Sequence, residues 1–119
     1  HFQRGTPDPQ EFWNEGPPRF GEATGTDLFL GRNTYGLLRA LGLAAITLNY
    51  IVVDTLRVPR ETFAAILAAW RDGYAEPVAE ASRFTAAEVI AYFDRMIADI
   101  LEPDGYAVWM VPVASARVP

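Results

Sequence analysis

The chain has 119 residues, a formal charge of -5, 21% charged residues and no cysteine. That length allows one domain, and the missing thiols exclude disulfide scaffolds, thiolate zinc sites and cysteine nucleophiles. The single histidine, His1, excludes a multi-histidine metal site and leaves a Ser-His-Asp triad only through the first residue. Acidity without a basic cluster argues against nucleic acid as a partner. No apolar run approaches the roughly 18 residues of a membrane span. The start is polar and rich in Pro and Gly, without the pattern of a secretory leader, so a cytoplasmic location is expected. The chain opens on His rather than Met, and a fragment of a longer protein is expected.

Residues 1–32 read as irregular. Pro7, Pro9, Pro17 and Pro18 alternate with Gly5, Gly16, Gly21, Gly25 and Gly31, a density of breakers that argues against a long helix or a central strand. Phe2, Phe12, Trp13, Phe20, Leu28, Phe29 and Leu30 sit among them. A solvated linker does not normally carry so many aromatics. The stretch therefore reads either as a loop that lines a pocket or as a loop anchored on its own core.

Asn33 to Leu41 predicts a short helix, with Asn33 as cap, Leu37, Leu38 and Leu41 on one face and Gly42 at C′. Ala45 to Val53 predicts a strand whose second half is apolar on both faces. Pro59 opens a helix with Phe63, Ile66, Leu67, Trp70 and Tyr74 as its stripe. Gly73 and Pro77 are expected to interrupt it, with a short helical segment at 78–81. Thr85 and Glu88 form a capping box. The helix it opens places Val89, Ile90, Phe93, Met96, Ile97, Ile100 and Leu101 on one face, and Asp94, Arg95 and Asp99 off it. A Pro-Asp-Gly turn at 103–105 ends it. Tyr106 to Val113 predicts a second strand, in which Pro112 marks an edge or an exit.

The order is loop, helix, strand, helices, strand, which defines an α/β chain. A lone two-stranded ribbon is marginal in water, and open edges beside apolar faces invite another strand. The two strands are expected to join a larger sheet, either in a missing N-terminal half or in a second copy of the chain.

Three runs carry a resemblance: GRNTYGLLRALGL, ITLNYIVVDTLRVPRETFAAILAAWRDGY and EPDGYAVWMVPVASARVP. From Asn33 to Pro119 the chain resembles the C-terminal part of a class I S-adenosylmethionine-dependent methyltransferase of the small-molecule branch. The resemblance implies a partial Rossmann-like fold: a late helix and strand, a helical insertion over residues 59–101, and a final antiparallel strand. Residues 1–32 would then be the substrate-side loop after the fifth strand, and 33–119 the C-terminal portion of the domain. The family's glycine-rich Asp-x-Gly-x-Gly turn is absent, as is the acidic residue that holds the cofactor ribose. Gly25-Thr26-Asp27 follows no strand and does not replace them. The resemblance thus implies S-adenosylmethionine in the parent protein, no cofactor-binding residue in this chain, no metal, and no activity of the chain alone.

No catalytic residue carries over, because methyl transfer from a sulfonium needs alignment and exclusion of water more than a fixed group. The candidate substrate contacts are His1, Phe12, Trp13, Phe20, Trp70 and Tyr74. His1 is the only residue whose unperturbed pKa lies near neutrality, but a lone histidine is a weak signal. Phe12, Trp13 and Phe20 read as an aromatic wall or as anchors. Trp70 and Tyr74 read as pocket or as core, because they share the stripe of their helix. Asp54 reads as a cleft-rim group or as a turn residue serving the Thr55–Val58 backbone. Glu11/Glu15 and Asp94/Asp99 do not make acid–base pairs. Arg57, Arg60 and Arg71 read as solvated charges beside helices. The expected function is the substrate-side portion of a methyltransferase with a small-molecule acceptor. The alternative is a stand-alone binding or dimerisation module.

Overall fold

The computed structural model describes Phe2 and residues 5–119. The described residues form a mixed α/β chain: α1 (Pro9–Thr24), α2 (Leu30–Ala40), β1 (Ala44–Asp54), α3 (Arg60–Ala81), α4 (Ala86–Leu101) and β2 (Val108–Arg117). The strands form one antiparallel pair. Between the strands in the chain stand α3 and α4, which pack as a pair, and α1 packs across both of them.

The first correction is α1. Residues 9–24 are helical, not irregular. Local signals at the ends favour the helix: Asp8 accepts from the Gln10 N–H at 3.0 Å, and Pro9 occupies the first turn, where a missing N–H costs nothing. Pro17 and Pro18 each remove a ladder bond inside it. Packing offsets that loss. Phe12 is 1% exposed, its ring 5.2 Å from Phe93 and 5.7 Å from Tyr92. A Cβ at Gly16 would lie 3.0 Å from both the Phe12 ring and Val78 Cγ1. Glycine therefore lets α1 approach α3 closely.

The second correction is α3, which runs unbroken for 22 residues through Gly73 and Pro77. Ala75 and Val78, on either side of the proline, are both buried, so core contacts hold the helix across one lost hydrogen bond. The third is α2, which begins at Leu30 rather than Asn33, with Phe29 as its N-cap. Asn33 is an internal residue whose amide donates to Asp27 Oδ2 at 3.3 Å. The expected end is present. Gly42 has φ +76°, its N–H donates to Arg39 O, and Leu43 N–H donates to Leu38 O. That is the Schellman arrangement, and its left-handed residue favours glycine.

The capping box of α4 is present in both directions, Glu88 N–H to Thr85 Oγ1 at 3.2 Å and Thr85 N–H to Glu88 Oε2 at 2.8 Å. Val89, Phe93, Met96 and Ile100 enter the core as expected. Ile90 and Leu101 are exposed instead, while Asp99 is 5% exposed. The buried arc of α4 is narrower and rotated relative to the expected one, because α1 and α3 cover Tyr92 and Phe93 rather than Ile90.

β1 and β2 pair from Ala44↔Arg117 to Asp54↔Val108, with a bulge between Ala44 and Thr47 where Ala45 takes φ +50°. Pro112 does not end its strand. It lies opposite Tyr50 within an edge strand, where an absent N–H is tolerated. The root of the sheet meets the helices: Val53 packs on the core, and Trp109 meets Trp70 edge-on at 5.0 Å. Away from the root the strands leave the helices. α2 packs on the sheet, with Gly31 tight against the Pro112 ring. The second half of β1, apolar on both faces, is not buried within the chain: Tyr50 is 58% and Ile51 57% exposed. The radius of gyration is 16.5 Å, against about 13–14 Å for a compact domain of this length.

Candidate ligand-binding clefts

An apolar cleft of about 330 Å³ opens between α1 and α3. Phe12, Trp13, Phe20, Trp70 and Tyr74 all line it. These are the described members of the candidate set; His1 lies outside the described residues. α1 presents its aromatics at helical spacing, and Trp70 and Tyr74 are one turn apart on α3. Phe20 and Tyr74 meet edge-on, with ring centroids 5.9 Å apart. Phe12 is also buried in the helical core. Leu28, from the turn after α1, closes one side, and the sequence did not single it out for this role. The helical spacing of Pro9, Phe12, Gly16 and Phe20 was the available signal. The prolines within the same stretch obscured it.

Thr26 and Tyr74 supply the hydroxyl groups of this lining. Among the described residues, none that lines the cleft is charged. It can hold and desolvate a flat apolar molecule, but its described lining holds no carboxylate, imidazole or guanidinium group. A wider cleft shares Trp13, Pro17 and Leu28 with this one, and there Gln10, Asn14 and Arg32 make the wall polar.

The charged residues around the clefts are engaged in structure. Asp54 is fully buried and accepts from the N–H groups of Leu56 (3.0 Å) and Arg57 (2.9 Å), from the Arg57 guanidinium, and from the Tyr106 hydroxyl at 3.4 Å. Burial pushes its carboxyl up, but the two backbone donors and the Arg57 charge outweigh it and hold Asp54 below the usual carboxylate range. Asp54 is thus the turn residue of the two alternatives. Arg60 is not a solvated charge. Its guanidinium donates to the carbonyls of Ile100 (2.6 Å), Gly105 (3.0 Å) and Pro103 (2.8 Å), closing the C-terminal end of α4. Arg71 pairs with Asp94 at 2.6 Å and Asp72 at 2.9 Å.

Glu11 ties α1 to the α3–α4 pair by accepting from the Tyr92 hydroxyl at 2.8 Å and from Arg83. The Tyr92 bond and then Arg83 hold Glu11 below its ordinary value. Burial and then the Glu11 bond push the Tyr92 hydroxyl up to about 12. Asp99, expected on the solvated side of its helix, is buried and pairs with Arg95 at 2.8 Å. Burial raises its carboxyl, and Arg95 offsets that in part. Asp99 Oδ2 and Arg95 Nε have no hydrogen-bond partner among the described residues.

Among the described residues, no group of three or more His, Asp or Glu side chains is placed to hold a metal ion. No helix among them is long and apolar enough to cross a membrane. No protein-family model matches the chain, and neither a curated protein nor a solved structure shows significant similarity to it.

Proposed function

We propose that this chain is the substrate-side portion of a class I S-adenosylmethionine-dependent methyltransferase and that a flat, apolar methyl acceptor lies in the α1–α3 cleft. The observation that carries the reading is convergence: Phe12, Trp13, Phe20, Trp70 and Tyr74, chosen as candidate contacts from the sequence, line one cleft. The order of elements supports it, because α3 and α4 stand between two antiparallel strands as the resemblance implies.

The cofactor does not fit this chain. The glycine-rich turn is missing, and the aromatic cleft offers no carboxylate among its described lining to hold a ribose. The contribution of these residues is therefore to bind and orient the acceptor and to keep water from it. Aromatic walls suit that task, since they bury large area with little loss of rotamer freedom.

The test is a titration of the purified chain with 2-naphthol and, separately, with S-adenosylmethionine, followed by tryptophan fluorescence and calorimetry. Naphthol is expected to bind, and Trp70→Ala to weaken it by about tenfold, roughly the 1.4 kcal/mol that one ring contact supplies. The cofactor is expected not to bind, and no methylated product is expected. Methyl transfer by the chain alone, or indifference to every flat probe, overturns the proposal.

A second reading rests on a separate observation. The stretches 41–53 and 105–116 carry no charge, and the strands they form are exposed in large part. A stand-alone module that dimerises through the edges of its sheet would use that surface. Sedimentation at micromolar to millimolar concentration decides it: a mass that stays monomeric throughout eliminates this alternative.

A further inference from the structure

The aromatic cleft has a neighbour. A smaller cleft of about 180 Å³ lies between α3 and the root of β2, walled by Phe63, Leu67, Val108 and Trp109. Trp13 and Trp70 line this cleft as well as the larger one. The two cavities therefore meet at one pair of indoles. The third tryptophan, Trp109, stands edge-on to Trp70 at the far side of the smaller cleft. All three tryptophans of the chain border this pair of cavities.

Size and polarity define what the pair accepts. The larger cleft alone sits at the low end of small-molecule sites, which span about 300–1,000 Å³. With its neighbour it lies well inside that range. Among the described residues, none lining either cleft is charged, in a chain where 21% of residues are. A charged group placed there loses its water and gains no counter-ion from the described lining. Tryptophan faces and edges on both sides favour flat rings that stack or meet them edge-on.

We infer that the two clefts are halves of one site, and that its ligand is an uncharged, planar molecule of three or more fused rings. One end lies under Leu28, the body passes the Trp13–Trp70 pair, and the other end reaches Trp109. The inference rests on the larger cleft being a ligand site and adds the length and charge of the ligand.

The test compares 2-naphthol, 2-hydroxyanthracene and anthracene-2-carboxylate on the wild-type chain and on Val108→Phe, which fills the smaller cleft. Circular dichroism confirms that the variant folds. Hydroxyanthracene is expected to bind about tenfold more tightly than naphthol, a difference of about 1.4 kcal/mol, and the carboxylate more weakly than hydroxyanthracene. Val108→Phe should erase the advantage of the third ring while leaving naphthol unchanged. Trp109→Phe supplies a second readout: it should remove part of the fluorescence change caused by hydroxyanthracene and none of that caused by naphthol. Equal affinity for two and three rings, or a Trp109 signal that ignores ring number, overturns the joined site while the larger cleft stands. Failure of naphthol as well overturns both readings together.

Discussion

The two methionines of this chain mark its two regions. Met96, in the helical half built from α1, α3 and α4, is fully buried; Met110, in the wing built from α2, β1 and β2, is 60% exposed. The regions do not differ in having apolar residues. They differ in whether those residues meet other elements of the fold. α1, α3 and α4 each pack on the other two, so Phe12, Phe63 and Ile100 are enclosed. In the wing a single helix lies against a two-stranded sheet, too few layers to enclose a core. Apolar composition supplies the driving force, and topology decides how much of it is satisfied within the chain.

The largest test of this contrast is a pair of truncations followed by urea denaturation. Phe12→Ala removes a ring from the centre of the aromatic cluster and should cost about 3–5 kcal/mol, enough to unfold much of the population. Ile51→Ala, in the wing, should change stability by less than about 0.5 kcal/mol. A comparable cost at Ile51 would show that the wing is covered in solution, as the dimer reading requires. A smaller effect separates local from tertiary stabilisation. Thr85→Ala removes the cap of α4 and should cost about 1 kcal/mol, lowering the midpoint without changing its slope.

The smallest net effect concerns acid, because Asp54 at the root of the wing and Asp99 in the helical half oppose one another. Asp54 lies below its ordinary value of 3.8. Its stabilisation is present above that value and is lost as pH falls through the folded pKa. Asp99 lies above the same ordinary value, so its contribution is present in acid and is lost as pH rises through its folded pKa. Melting curves between pH 2 and 6 should therefore show Asp54→Asn with a shallower loss toward acid. Asp99→Asn should show a steeper one, since it deletes the compensating term. Identical pH profiles for the two variants and the wild type would break this assignment.

Much of the chain was legible residue by residue. The capping box at Thr85 and the glycine end at Gly42 are local devices whose partners lie within a few positions. Sequence spacing alone identifies such pairs. The misreadings share a cause. Pro17, Pro18 and Pro77 announce breaks, yet each sits in a continuous helix because distant residues pack around it. Arg60 reads as a solvated charge because the carbonyls it serves lie about forty residues away. Asp99 reads as solvated because Ile90 and Leu101 extend the apparent apolar face beyond what its neighbours cover. The candidate site was legible as a list of aromatics but not as a place.

The sequence by itself determined the elements with short-range codes: the two strands, the caps of α4 and the end of α2, the aromatic inventory, and the uncharged surface of the sheet. These follow from periodicity, capping chemistry and backbone sterics, which act over a few residues. Only the tertiary structure decided that α1 is a helix, that Asp99 is buried, and that Trp13 and Trp70 stand between two cavities. Those outcomes depend on side chains brought together from remote positions, where burial of a ring such as Phe12 outweighs a local preference worth a few kcal/mol at most.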